Sequence, residues 1–271
     1  MEKSSSYQLA IIGCGAMGIG LAQALVRRGA PYVAGDIIAA DIDPRRRAAM
    51  QQLGISVAAE PAEAASHAVD VLLAVKPQAL DRLLEELAST LQRRLVISIA
   101  AGVPLARYEA ALGSQTSVVR VMPNILCAVG AAASAYCAND ACSPEQISRV
   151  AALFDAVGTA VAVDEELMDA VTGLSGSGPA FVAVFIEALV DGAVAAGLPR
   201  EQAASLATQT VLGTARWLQQ HGGSPTVLKD MVTSPGGTTI AGIKALEDGG
   251  LRSAVMEAVA AAVRRSRELG S

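Results

Sequence analysis

The stretch Leu9-Ala10-Ile11-Ile12-Gly13-Cys14-Gly15-Ala16-Met17-Gly18 decides how the rest of the chain is read. Four apolar residues run straight into a GxGxxG turn, and a helical pattern opens behind it. In a strand, turn and helix of this kind, Gly13 permits the tight turn and Gly15 lets the backbone approach a pyrophosphate. Gly18 lets helix and strand pack closely. The helix N-terminus adds N–H donors and a positive dipole. Residues Ile12, Gly13, Cys14, Gly15, Ala16, Met17 and Gly18 are therefore candidate contacts for a dinucleotide.

Outward from the turn, short apolar runs alternate with helical stretches. The pattern predicts strands at 9–12, 36–40, 69–75, 95–99 and 118–122, with helices at 18–28, 44–53, 77–91 and 104–112 between them. A further helix at 144–157 and strand at 159–163 close the series. Such alternation with β-branched runs implies an α/β domain, a Rossmann-type parallel sheet covered on both faces. After Asp164 the strands stop and alanine-rich helices follow at 165–174, 179–196, 200–221, 226–232, 239–248 and 251–269. Residues 1–163 are thus expected to form a dinucleotide-binding domain and residues 164–271 an all-helical one. Those helices are apolar on several faces, so they must pack on something, and an interlocked dimer is expected.

Four more strand ends face the crevice where ligands gather in such sheets. Asp41 closes the second strand, placed to accept from a ribose 2′-hydroxyl and favour NADH. Arg45, Arg46 and Arg47 follow it and would either grip a 2′-phosphate or form a solvated helical turn. NADPH and NADH both remain open. Ala74-Val75-Lys76-Pro77 and Ala100-Ala101-Gly102 end two later strands, with small residues that let a nicotinamide ring near the backbone. Lys76 either touches the cofactor or caps its strand. Pro123-Asn124 is a third loop of this kind.

Composition limits the partners. The 271 residues carry a net charge of -5, with 52% hydrophobic and 17% charged residues, so there is no basic field for nucleic acid or anionic lipid. The polar start argues against a signal peptide, and the apolar 181–198 segment, shorter than a span of roughly 20 residues, is read as a buried helix. Four cysteines, Cys14, Cys127, Cys137 and Cys142, form no CxxC pair, and no histidine lies near them. Reduced thiols, a cytoplasmic setting and no metal are expected. The two histidines, His67 and His221, fall outside the crevice loops, so a histidine acid–base of the usual dehydrogenase kind is missing. A protonated imine needs less: positioning, and one donor near its nitrogen. The stretch around Ser234-Pro235-Gly236-Gly237-Thr238-Thr239 opens a helix and reads either as an anion nest for a carboxylate or as a capped loop.

Six stretches in order over nearly the whole chain resemble the pyrroline-5-carboxylate reductase family. They are residues 11–18, 74–77, Ser98-Ile99-Ala100-Ala101-Gly102-Val103, Arg120-Val121-Met122-Pro123-Asn124, the run 169–180 and the run 225–247. The resemblance implies reduction of 1-pyrroline-5-carboxylate to L-proline with NADPH or NADH. It places the dinucleotide on the glycine turn and on 74–77 and 100–102, and the substrate carboxylate on Ser234, Gly236, Gly237, Thr238 and Thr239. Thr239 is implied as the donor to the ring nitrogen or a proton relay. The resemblance also implies a homodimer that completes the pocket, and some members of the family assemble five dimers into a decamer. One departure stands out: Ile125-Leu126 replaces the usual Thr-Pro after Asn124, and Ala132 occupies a glycine position. A reductase for larger cyclic imines and a non-catalytic dinucleotide sensor are the competing readings.

Overall fold

The computed structural model describes residues 6–29, 31–92 and 94–270, which form two compact units. The first unit runs up to Ser177 and takes in the chain from Ala261 onward; the second spans Gly178–Ala260. The division therefore falls after Ser177, later along the chain than the change of pattern at Asp164.

The first unit is built on eight strands: β1 (Tyr7–Ile12), β2 (Ile37–Ala40), β3 (Ser56–Ala58), β4 (Ala68–Leu73), β5 (Leu95–Ser98), β6 (Val118–Met122), β7 (Ala132–Ala138) and β8 (Gly158–Ala162). They lie in the order β3-β2-β1-β4-β5-β6-β7-β8, so the order reverses between β1 and β4. Helices α1 (Ala16–Arg28), α2 (Pro44–Gln52), α3 (Pro61–Ser66), α4 (Pro77–Leu91), α5 (Leu105–Leu112) and α6 (Pro144–Asp155) connect them. Successive residues of β1 enter opposite cores: Ala10 and Ile12 pack with α4 and α5, Leu9 and Ile11 with α1 and α6. Burial on both faces explains the unbroken apolar runs.

The sheet is mixed rather than wholly parallel. Strands β1 to β6 are parallel, whereas β7 pairs antiparallel with β6 and β8 follows β7 in parallel. The cause is loop length: residues 123–131 between β6 and β7 hold only a 3₁₀ turn (Ile125–Val129), too short for a crossover helix. The longer connection from β7 to β8 carries α6 and restores a parallel pair. Strands β3 and β7 and helix α3 had no counterpart among the expected elements.

Beyond β8 come a 3₁₀ turn (Glu165–Leu167), α7 (Met168–Val171) and a π-helical turn (Thr172–Gly176). The second unit holds α8 (Gly178–Ala195), α9 (Arg200–His221), α10 (Pro225–Met231), α11 (Thr238–Asp248) and most of α12 (Leu251–Gly270). Its buried core is Val190, Ala203 and Ala207. The expectation of a buried helix at 181–198 fails within one chain: only Val190 of α8 is buried, while Val184 is 65% exposed. Helix α8 itself has 18 residues, but it continues the turns before it. The helical run Glu165–Ala195 reaches 31 residues and is, by length and composition alone, enough to cross a membrane.

Candidate active site

Main-chain hydrogen bonds tie β2, β1, β4 and β5 together at their carboxyl ends. Gly13 N–H donates to Ala40 O (2.8 Å), Ala74 N–H to Ile12 O (2.8 Å) and Ile99 N–H to Leu73 O (3.1 Å). The structure thus gathers residues 12–18, Asp41, 74–77 and 100–102 along one edge of the sheet, beside the reversal of strand order. That is where an open α/β sheet leaves room for a ligand.

The glycine turn fits a pyrophosphate on its own geometry. Gly13 sits at φ +101°, and a Cβ there would lie 2.7 Å from Ala74 O, so only glycine keeps the turn. A Cβ on Gly18 would collide with Gly13 O. At Gly15, by contrast, a Cβ would meet nothing within 4 Å, which leaves open space above the backbone. The first helical acceptor of α1 is Gly15 O, taken by Ile19 N–H (2.9 Å), so the N–H groups of residues 16–18 have no acceptor within the helix. No acidic residue stands in that first turn to compete with an anion.

Asp41 is buried, and both its carboxylate oxygens are engaged. Oδ2 accepts from Cys14 N–H (2.7 Å) and Oδ1 from Asp43 N–H (2.8 Å). It therefore holds the glycine turn to the end of β2. The arginines turn toward these acids: Arg46 pairs with Asp41 (3.5 Å), Arg45 with Asp43 (3.3 Å), and Arg47 donates to Asp41 O (2.6 Å). Arg45 and Arg46 stay exposed. Burial, helped by the Asp41 charge, pushes the Cys14 thiol up to about 12, so it is no nucleophile.

Lys76 is exposed and is the N-cap residue of α4, without a side-chain capping bond. Ala100 is buried and Ala101 exposed. Ser98 and Asn124, which the sequence shows only within longer stretches, and Tyr108, which carries no signal in it, supply polar groups around them. Ser98 Oγ and Tyr108 OH lie 2.5 Å apart, and Ser98 Oγ accepts from Ala100 N–H (3.3 Å). Asn124, 5% exposed, donates to Ser175 O (3.0 Å) and accepts from Leu126 N–H (3.2 Å). A proline at 126 would lack that N–H. The departure at 125–126 thus gives the 3₁₀ turn an N-cap. His67 is half-buried, its Nδ1 against Glu63 O (2.8 Å); His221 is exposed and stacks on Trp217.

In the second unit, Ser234, Gly236, Gly237, Thr238 and Thr239 form the entry to α11. Gly237 N–H donates to Ser234 O (3.1 Å), and a Cβ on Gly237 would collide with Ser234 Oγ. Gly237 is the N-cap residue and brings no side-chain acceptor, while Ala241 N–H is the first to bond back, to Gly237 O. The preceding N–H groups and the Thr239 hydroxyl, on a half-buried residue, are what this turn offers a carboxylate or an imine.

Fold and turn together define a Rossmann-type, dinucleotide-dependent oxidoreductase. The family model for NADP oxidoreductase, coenzyme F420-dependent, matches residues 8–102, and that for pyrroline-5-carboxylate reductase dimerisation matches 165–269. A pyrroline-5-carboxylate reductase of Synechocystis is 49% identical over 98% of this chain and 99% of its own. A solved pyrroline-5-carboxylate reductase from Coxiella burnetii superposes with a TM-score of 0.92 at 35% identity, over 98% of this chain and 99% of that one. A Plasmodium falciparum pyrroline carboxylate reductase with NADP bound gives 0.88 at 30%, over 99% and 100%. The chain belongs to the pyrroline-5-carboxylate reductase family.

Proposed function

We propose that the chain reduces 1-pyrroline-5-carboxylate to L-proline at the expense of NADPH or NADH. The observation that carries this is the likeness to a pyrroline-5-carboxylate reductase along 98% of the chain, which takes in both the glycine turn and the 234–239 loop. The bound cofactor supplies a hydride. Residues 12–18, Asp41, 74–77 and 100–102 would hold it, the N–H groups at the start of α1 serving its pyrophosphate and the small residues at 74–77 and 100–102 its nicotinamide end. The N–H groups at the start of α11, with Ser234 and Thr238, bind the substrate carboxylate. The Thr239 hydroxyl orients the ring nitrogen and relays the proton that nitrogen gains as its carbon takes the hydride.

In this reading residues 1–163 bind the dinucleotide and residues 164–271 dimerise and bind substrate. The enzyme works in the cytoplasm as a homodimer, alone or as five dimers in a decamer, with no nucleic-acid, membrane or metal partner. The exposed apolar side chains of α8 support the dimer, and the charge of -5 supports the absence of anionic partners. The test is NAD(P)H oxidation with pyrroline-5-carboxylate, run with each cofactor and with a piperideine carboxylate. Higher kcat/KM on the six-membered ring would overturn the substrate, and cofactor binding without turnover would overturn the enzyme.

A further inference from the structure

The 100–102 segment is anchored at both ends by buried groups outside it. At its start stands the Ser98–Tyr108 hydroxyl pair, both residues fully buried. At its end, α5 begins at Leu105, whose N–H has no acceptor within the helix. The helices that start with a proline after an Asp or Ser are capped locally, α2 by Asp43, α6 by Ser143 and α10 by Ser224. The N-cap of α5 is Pro104, which has no side-chain acceptor. The acceptor comes instead from far along the chain: Glu165 Oε1 takes Leu105 N–H at 2.7 Å.

The same oxygen takes Arg120 Nη1 at 3.1 Å. Arg120 rises from β6, is 7% exposed, and stands beside a cavity of about 830 Å³ that Gly102, Leu105 and Glu165 also line. Arg120 thus fixes where the carboxylate sits, and the carboxylate fixes the first turn of α5, where a negative charge also favours the helix dipole. Gly102, at φ +76°, turns the chain between the two anchors.

We propose that Glu165 is a positioning residue for the reductase reaction. Oriented by Arg120, it sets the backbone of 100–102 at the height the nicotinamide ring needs. The proposal rests on the reading above for the identity of the cofactor's reactive end, and on this structure for the clamp. Its effect is local: the glycine turn that takes the adenosine and pyrophosphate shares no hydrogen bond with Glu165.

The experiment compares Glu165→Ala, Glu165→Asp and Glu165→Gln for binding of NADPH and of adenosine 2′,5′-bisphosphate, which lacks the nicotinamide, and for turnover. Glu165→Ala should weaken NADPH and lower kcat, each about tenfold, as a displaced ring would. The bisphosphate affinity and the imine KM should stay within about twofold, well below the loss set by misplacement. Glu165→Asp, which keeps the charge for Arg120 but withdraws it by one methylene, should fold and show a smaller version of the same split. Glu165→Gln keeps an oxygen for Leu105 N–H and should restore most of both losses. Equal loss of NADPH and bisphosphate, or wild-type behaviour of Glu165→Asp together with Glu165→Ala, overturns the proposal. A wild type that binds NADPH without turning over pyrroline-5-carboxylate would sink the proposed reaction, while the two binding titrations would still decide the clamp.

Discussion

The two units bury their apolar residues to very different degrees. In the first, Leu9, Ile11, Leu72 and Leu73 are wholly buried, and the sheet carries a core on each face. In the second, the core is Val190, Ala203 and Ala207, while Val184, Leu206, Met231 and Met256 stand more than half exposed. Exposed apolar surface on that scale marks an association face. One unit closes its own core on both faces of a sheet; the other leaves apolar faces open, in the region 165–269 that matches the dimerisation family model. The proposed reading puts the cofactor on the first kind of packing and the substrate loop on the second.

The contrast can be broken at several points. Thr239→Val removes a hydroxyl from the helical side alone. It is expected to lower kcat about a hundredfold, the low end for a positioned proton donor, with cofactor affinity unchanged by fluorescence titration. Unchanged turnover would take Thr239 out of the chemistry. Val184→Lys puts a charge on the exposed face of α8 and should weaken self-association roughly thirtyfold in sedimentation, as loss of a central contact does. A second chain that does not use this face would leave the sedimentation unaltered.

Asp41→Ala acts on the sheet side only. It should weaken NADH about tenfold and NADPH less if, as proposed, the carboxylate serves a ribose 2′-hydroxyl. Equal losses would show that its bond to Cys14 N–H, holding the turn, is the whole of its role. The smallest effect concerns Cys14. With its pKa raised to about 12, the neutral thiol is the folded form at pH 8, and the thiolate gains ground only toward that value. Native protein treated with iodoacetamide at pH 8 should leave Cys14 unlabelled in peptide mass spectra, whereas unfolded protein should label it.

Much of the first unit was legible because its signals are local. The apolar run 9–12 with the glycines behind it marks β1 and α1, and Pro77 marks the start of α4. Strand β7 escaped because Ala132-Ala133-Ser134-Ala135-Tyr136-Cys137-Ala138 has no β-branched residue, and β3 because three residues show no period. The antiparallel pairing follows from a loop length that is visible only once β7 is known. Helix α8 misled for another reason: apolarity all round predicts burial but not in which chain. Tyr108 and Glu165 carried no motif, and the stretches that contain Ser98 and Asn124 showed no partner for either, since the partners lie far off in sequence or in the backbone.

The division of labour between the two kinds of packing comes together in one transfer, and isotope can follow it. With NADPH carrying deuterium at the nicotinamide carbon that gives up hydride, the account predicts L-proline labelled at the ring carbon next to nitrogen, at stoichiometric transfer from one face of the cofactor. Proline that forms without the label, or label appearing in solvent with no proline formed, would contradict it.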